Sequence, residues 1–109
     1  MTNYEDGRRF EWATRDALRA DGYDVLRTAG SKSKVDLVGI KPGQLLLVQC
    51  KRSGVCPPAE RAALVELAVN VDALPIVAWK PRRGVIGYRR LLSATVGHHA
   101  DWTPDEVTA

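Results

Sequence analysis

The stretch that most constrains the fold is residues 35–52, VDLVGIKPGQLLLVQCKR, which predicts two apolar strands joined by a Pro-Gly turn. Asp36 interrupts the first strand, and Gln49 and Lys51, separated by the small Cys50, interrupt the second. Strand interiors normally exclude Asp, Gln and Lys, and burying an unpaired carboxylate or ammonium is costly. These three polar side chains in otherwise apolar strands therefore indicate a functional site rather than plain core.

The turn predicts how the two strands pair. With the Pro-Gly pair at its centre, Lys41 faces Gln44, and counting along the strands places Asp36 directly opposite Gln49. Lys51 projects to the same face as Gln49 because side chains alternate with period two. Pro-Gly turns are usually type II whereas tight hairpins favour the primed types, and a slip of one residue would separate the groups onto opposite faces.

The length and the N-terminus limit the class of protein. A chain of 109 residues has the size of one domain, so we expect residues 1–109 to form a single unit. No apolar run approaches the ~20 residues that cross a bilayer, so we expect no membrane association. The first ten residues, MTNYEDGRRF, lack the apolar segment of a secretory signal, which predicts a cytoplasmic protein.

Charge and cysteine content leave several functions open. The net charge of +3 is compatible with nucleic-acid binding without being specific to it. Cys50 and Cys56 are too few for a disulfide framework, and zinc would need more ligands than they supply. His98 and His99 lie far along the chain, and such a pair is more often on the surface than on a metal.

Residues 4–21 have the pattern of an amphipathic helix. Its apolar stripe consists of Phe10, Ala13, Thr14, Ala17 and Leu18. Glu11 lies at the edge of this stripe, where a carboxylate can either reach over a neighbouring sheet or remain solvated. The opposite face carries an exposed tryptophan among arginines, which suits DNA, a partner subunit, or simple shielding of the ring. That face consists of Arg8, Trp12, Arg15 and Arg19.

The loop before the Asp36 strand, AGSKSK at residues 29–34, is small and polar. It is either a solvated turn or a loop that contacts phosphate, because Ser31, Lys32 and Lys34 supply one hydroxyl and two cations beside the candidate site.

The remaining elements complete an α/β fold. Residues 23–28, 75–80 and 85–92 are predicted strands, and residues 59–72 a helix that starts near Pro58. Residues 93–109 show no periodicity and are predicted to be a C-terminal tail or irregular cover. The order α-β-β-β-α-β-β predicts a mixed five-stranded sheet flanked by helices, the second helix crossing over between parallel strands.

The candidate site has the composition of a metal-dependent hydrolase. The carboxylates of Glu11 and Asp36 and the amide oxygen of Gln49 are hard oxygen ligands suited to Mg²⁺. Lys51 beside such a metal can orient or deprotonate a water, or stabilise charge on a phosphorus oxygen. Together these groups suit the hydrolysis of a phosphodiester.

These residues resemble a known family. An Asp, then a strand with (Glu/Gln)-x-Lys, behind a helix glutamate is similar to the PD-(D/E)XK nuclease superfamily and its restriction-endonuclease-like core. More narrowly, GRRFE at residues 7–11, GYDVLRTAGSKSKVDLVGI at 22–40 and VQCK at 48–51 resemble archaeal-type Holliday junction resolvases, including phage-encoded relatives. The resemblance is close over the first half of the chain and covers only element order in the second.

The resemblance implies a role for each matching residue. It implies catalytic roles for Glu11, Ser31, Asp36, Gln49 and Lys51, of which Glu11, Asp36 and Gln49 hold the metal. It implies Mg²⁺ as the cofactor, with Mn²⁺ as a substitute, and a homodimer that cuts opposing strands of branched double-stranded DNA. Candidate DNA contacts are Arg8, Arg27, Ser31, Lys32, Lys34 and Arg52.

One position departs from the resolvase pattern, which has glutamate where this chain has Gln49. Losing that charge beside a divalent cation removes attraction of ~4 kcal/mol per unit-charge pair at 4 Å and an effective dielectric near 20. Gln-x-Lys also resembles the Mrr-type branch of the superfamily.

The leading hypothesis is therefore a Mg²⁺-dependent endonuclease for four-way junctions. The alternatives are a Mrr-like nuclease on linear duplex and a non-catalytic module that binds branched DNA.

Overall fold

The structure is a computed structural model that describes residues 3–28 and 34–104, with side chains from residue 6 onward. Two helices and six strands make up this part of the chain. In order they are α1 (Asn3–Ala20), β1 (Asp24–Arg27), β2 (Leu37–Lys41), β3 (Gln44–Cys50), α2 (Pro58–Asn70), β4 (Leu74–Arg82), β5 (Val85–Leu91) and β6 (His99–Trp102). No helix within these ranges combines the length and hydropathy of a membrane-spanning segment.

The strands form one sheet in which spatial order follows chain order, β1 to β6. Neighbouring strands are antiparallel except for β3 and β4, which are parallel and are joined by α2. Parallel neighbours need a crossover, and a helix is its usual form. The predicted mixed sheet, the helix–strand order as far as β5 and the crossover role of the second helix are confirmed.

The prediction of five strands is wrong by one, because residues 99–102 pair with β5 as a sixth strand. Trp102 is only 2% exposed and packs edge-to-face on Tyr88, with ring centroids 5.8 Å apart. The buried guanidinium of Arg61 on α2 also donates to the carbonyl oxygen of His98 at 2.6 Å. The segment after β5 thus closes the core. Its sequence carries no strand signal because β6 has four residues and buries only Trp102.

The two faces of the sheet carry separate apolar clusters. The α1 side contains Phe10, Leu18, Tyr23, Val25, Leu37, Leu46, Val48, Ile76, Ala78, Tyr88 and Trp102. The α2 side contains Val35, Leu47, Cys56, Leu64, Ala68, Val77 and Leu91. Alternation along β3 therefore directs Cys50 toward α1 and Gln49 toward α2. Ala13, predicted to belong to the apolar stripe of α1, is exposed.

Candidate active site

The predicted hairpin register holds along β2 and β3, from the pair of Lys41 with Gln44 to that of Leu37 with Val48. It breaks at Asp36, whose backbone N–H bonds to the carbonyl oxygen of Val48 at 2.9 Å. Two residues, Asp36 and Leu37, thus oppose one, which is a β-bulge. The prediction that Asp36 lies directly opposite Gln49 is therefore wrong, because the extra residue rotates its side chain out of the alternation.

The bulge turns the Asp36 carboxylate toward the end of β3. Its Oδ2 accepts a hydrogen bond from the backbone N–H of Cys50 at 2.8 Å. Burial raises the pKa of the Asp36 carboxyl, and the Cys50 N–H opposes that rise. The charge of Glu11 raises this pKa further while that of Lys51 lowers it. Asp36 therefore lies within electrostatic range of both Glu11 and Lys51.

Gln49 is the best-shielded polar residue of the predicted site, only 3% exposed. Its Nε2 donates to the carbonyl oxygen of Lys34 at 2.6 Å. This hydrogen bond ties β3 to the residues that precede Asp36 and β2. Because the nitrogen of the amide is used in this bond, the oxygen Oε1 is the atom left to accept a hydrogen bond or to ligate a cation.

Lys51 follows β3 and extends toward α2. Its Nζ lies 3.1 Å from Oε1 of Glu60 in the first turn of that helix. The same carboxylate raises the pKa of Asp36, so it belongs to the same electrostatic neighbourhood. Sequence reasoning missed Glu60, and no motif or spacing marks it, because the contact depends on how the loop after β3 turns the start of α2 back toward Lys51.

Glu11 lies on the α1 side, where its side chain is 19% exposed. Its Oε1 accepts from Nε of Arg27 on β1 at 2.6 Å. One turn further along α1, the fully buried Thr14 donates to the carbonyl oxygen of Phe10 at 2.8 Å and lies against the Cys50 thiol. Arg27, predicted to contact DNA, thus holds the carboxylate that the sequence assigns to the metal.

The other predicted DNA-contacting residues lie at separate places around the site. Lys34 is exposed beside the site, whereas Ser31 and Lys32 lie outside the described residues. Arg8 lies 5.7 Å from the ring of Trp12 on α1. Arg52, the neighbour of Lys51, is 47% exposed and lies 3.6 Å from Asp6.

A cleft of about 380 Å³ continues from Arg52 between α1 and the β4–β5 hairpin. It adds two cations, Arg9 and Lys80, that were not singled out from sequence, where they are two of many dispersed basic residues. Its lining is Asp6, Arg9, Phe10, Ala13, Arg52, Lys80, Gly84, Val85 and Ile86. The three cations outnumber the one carboxylate, which favours an anionic ligand with an apolar part.

The donor set fits Mg²⁺ rather than zinc. Within residues 6–28 and 34–104, no three carboxylate, thiol or imidazole side chains converge into a metal cage. Mg²⁺ typically takes one or two protein carboxylates and completes its shell with waters and substrate phosphate. Asp36 is a half-buried carboxylate whose ionised form is disfavoured by burial and by Glu11. A divalent cation relieves both penalties.

Fold and site together define a class. A mixed sheet between two helices, with an Asp just before β2, Gln-x-Lys at the end of β3 and a helix Glu nearby, is a restriction-endonuclease-like fold. The class is supported by a solved structure, that of Archaeoglobus fulgidus Hjc, a Holliday junction resolvase from an archaeal hyperthermophile. It superposes with a TM-score of 0.65 at 26% identity, over 76% of this chain and 70% of the other.

Sequence comparison narrows the class to a family. Residues 2–99 match the family model of the archaeal Holliday junction resolvase, Hjc. The chain belongs to this family. A curated relative, the crossover junction endodeoxyribonuclease Hjc of Methanocaldococcus jannaschii, is 40% identical over 50 residues. That match covers 46% of this chain and only 37% of the relative's length.

Proposed function

We propose that this chain is a Mg²⁺-dependent endonuclease that resolves four-way DNA junctions by phosphodiester hydrolysis. The observation that carries the proposal is the bulge at Asp36. A bulge is a local irregularity that re-aims one side chain, and here it aims a half-buried carboxylate at the Cys50 N–H, within electrostatic range of Glu11 and Lys51, in a member of the Hjc family.

The residues divide the chemistry among them. Asp36 and Glu11 would hold Mg²⁺, which would supply an activated water and a positive charge beside the phosphate. The side chain of Gln49 is directed toward α2, so its Oε1 would have to reach the same ion around the end of β3. Arg27 orients Glu11 through the 2.6 Å ion pair, and the Cys50 N–H orients Asp36. Each carboxylate is thereby held by a second group before substrate binds.

Lys51 is the cation for the reacting phosphate. Its ammonium donates hydrogen bonds to a non-bridging oxygen, where negative charge develops as a water oxygen attacks phosphorus. The P–O3′ bond breaks and the 3′ oxygen leaves with a proton, so the products carry a 5′-phosphate and a 3′-hydroxyl.

DNA affinity rests on the basic cleft beside the site. Arg52 is adjacent to Lys51 in the chain, and Arg9 and Lys80 extend the positive lining away from it. Phosphate contacts of this kind supply affinity and orientation without sequence preference. The cleft is therefore proposed to hold the backbone of one arm of the junction.

The partner protein is proposed to be a second copy of the chain. Three apolar side chains are exposed at the end of α2 and of β5. Val69 near the end of α2 is 74% exposed, Val71 just beyond that helix is 45% exposed, and Leu92, the residue after β5, is 49% exposed. Apolar side chains beside a helix that is already packed on one face favour burial against another surface. A two-fold dimer would present two active sites to a junction of similar symmetry.

A cleavage assay with labelled DNA tests the proposal. The protein is incubated with a four-way junction and with linear duplex of the same arm sequences, in Mg²⁺, Mn²⁺ or EDTA. Paired cuts in the junction that depend on metal support the proposal. Cutting of both substrates supports a Mrr-like activity. Junction binding without cuts in either metal would indicate a non-catalytic module that binds branched DNA.

Light scattering of the protein in solution tests the oligomeric state, where a dimer is expected. A monomer at concentrations that support cleavage would refute the two-site arrangement. Val69→Asp should weaken the dimer. The matched control is Val55→Asp, at a side chain that is 67% exposed on the loop before α2, which should leave the dimer unchanged.

A further inference from the structure

The ion pair of Lys51 with Glu60 is a contact that the proposed cleavage chemistry does not use. The Nζ–Oε1 distance is 3.1 Å, and the two side chains are 27% and 44% exposed. An exposed pair of this kind contributes little to stability. Its position is unusual, because one partner is the residue assigned to the reacting phosphate.

Glu60 is held in place by the start of α2. The helix begins at Pro58 directly after Pro57, which provides no side-chain cap. Two consecutive prolines restrict the backbone, and a carboxylate in the first helical turn is stabilised by the helix dipole. Since α2 also links the parallel strands β3 and β4, Glu60 faces the end of β3 from a rigid support.

Asp36 is a second carboxylate on which the charge of Lys51 acts. The pKa of Asp36 is lowered by the charge of Lys51 and raised by that of Glu60, so both charges act on the same carboxyl. In the structure the ammonium bonds to Glu60. An ammonium bonded to Asp36 instead would occupy oxygens that a metal needs and would turn away from the phosphate.

We propose that Glu60 is a positioning residue that holds the Lys51 ammonium off Asp36, so that Asp36 stays open to the metal and Lys51 stays available to DNA. The inference rests on the proposed function, since it concerns the same metal and the same lysine. An incoming phosphate, with its full negative charge, then takes the ammonium from a solvent-exposed carboxylate, which is a weak competitor.

Calorimetric titration of metal-free protein with Mn²⁺ tests the proposal without any cleavage step. Glu60→Ala should weaken Mn²⁺ binding about fivefold, the size of an exposed ion pair, because Lys51 moves onto Asp36. In a Lys51→Met background the same substitution should have no effect, since no ammonium is left to move. Equal weakening in both backgrounds would mean that Glu60 attracts the metal directly, which overturns the proposal.

Two further variants separate position from net charge. Glu66→Ala removes an equal charge from an exposed site on the same helix and should leave Mn²⁺ affinity unchanged. Glu60→Asp, which retains the carboxylate, should recover most of the wild-type affinity. Weakening by Glu66→Ala to the same extent as by Glu60→Ala would reduce the effect to net charge and contradict the role of Lys51.

A crystal structure of Glu60→Ala separates this proposal from the proposed function. The Lys51 Nζ is expected within hydrogen-bond distance of Asp36, whatever the catalytic activity. A lysine that extends into solvent would refute the positioning role even if the wild-type protein cleaves junctions. Absence of Mn²⁺ binding by the wild type would instead count against the metal-dependent mechanism, and the lysine position would still decide the role of Glu60.

Discussion

Gln49→Glu changes one atom type at a position that is only 3% exposed, and its consequences differ with and without metal. In metal-free protein the new carboxylate cannot donate to the Lys34 carbonyl oxygen, now 2.6 Å from Nε2. Losing that hydrogen bond costs about 1 kcal/mol, and leaving a shielded charge against a carbonyl oxygen costs about 1–3 kcal/mol more. We expect the free energy of unfolding to fall by about 2–4 kcal/mol.

Mg²⁺ should offset part of this loss of stability. A carboxylate 4 Å from a cation gains about 4 kcal/mol of attraction per unit charge at an effective dielectric near 20. Desolvation offsets much of this, so we expect a net gain of about 1–2 kcal/mol, or roughly tenfold tighter Mg²⁺ binding. Saturating Mg²⁺ should therefore stabilise Gln49→Glu more than it stabilises the wild type.

Urea unfolding in EDTA and in Mg²⁺ measures both effects. Gln44→Glu is the matched control, because it adds the same charge at the opposite end of β3, beside the turn. Unchanged stability of Gln49→Glu in EDTA, together with the same response to Mg²⁺ as the control, would contradict both expectations. Residue 49 would then contact neither the Lys34 carbonyl nor the metal.

Three other substitutions test separate parts of the argument. Asp36→Asn should abolish cleavage yet raise stability at neutral pH, as measured by thermal unfolding. The folded-state pKa of Asp36 is raised above 3.8 by burial, so its ionisation opposes folding above that folded-state pKa and has no effect well below pH 3.8, where the advantage of Asn should vanish. Lys51→Ala should abolish cleavage while junction affinity in a gel-shift assay stays near wild type; full activity would exclude its assigned role. Trp102→Ala should cost ~3–5 kcal/mol in chemical unfolding, and a loss under 1 kcal/mol would contradict its place in the core.

The hairpin could be predicted because its signals are local. A Pro-Gly turn and period-two alternation suffice to pair Lys41 with Gln44 and to direct Gln49 and Lys51 to one face. The position of Glu11 at the edge of a helical stripe is also a local signal, and there it contacts Arg27 of the neighbouring strand β1. In each case the deciding interaction lies within one element or one turn. There, the number of residues between two positions determines how they are arranged in space.

The parts that could not be predicted depend on contacts between distant segments. The bulge at Asp36 has no composition signal, since it arises from how β2 fits β3 while β1 remains in register on its other side. Glu60 meets Lys51 only because the loop of residues 51–57 turns the first turn of α2 back toward the end of β3. Only Trp102 of β6 is buried, and it packs on Tyr88 of β5. The other residues of β6 are polar or small, so the strand has no apolar pattern.

The strand order has a consequence for folding during synthesis. Each strand pairs with its neighbour in the chain, and the candidate site draws on residues 11 to 60, well before β6. Sheets built from successive neighbours need few long loop closures, which favours rapid, sequential assembly. Ribosomes therefore release the candidate-site residues before β6, and Trp102 can cover Tyr88 only once β6 has emerged. Until then the nascent chain exposes the apolar surface beside Tyr88, which is the kind of surface that leads unfinished chains to associate.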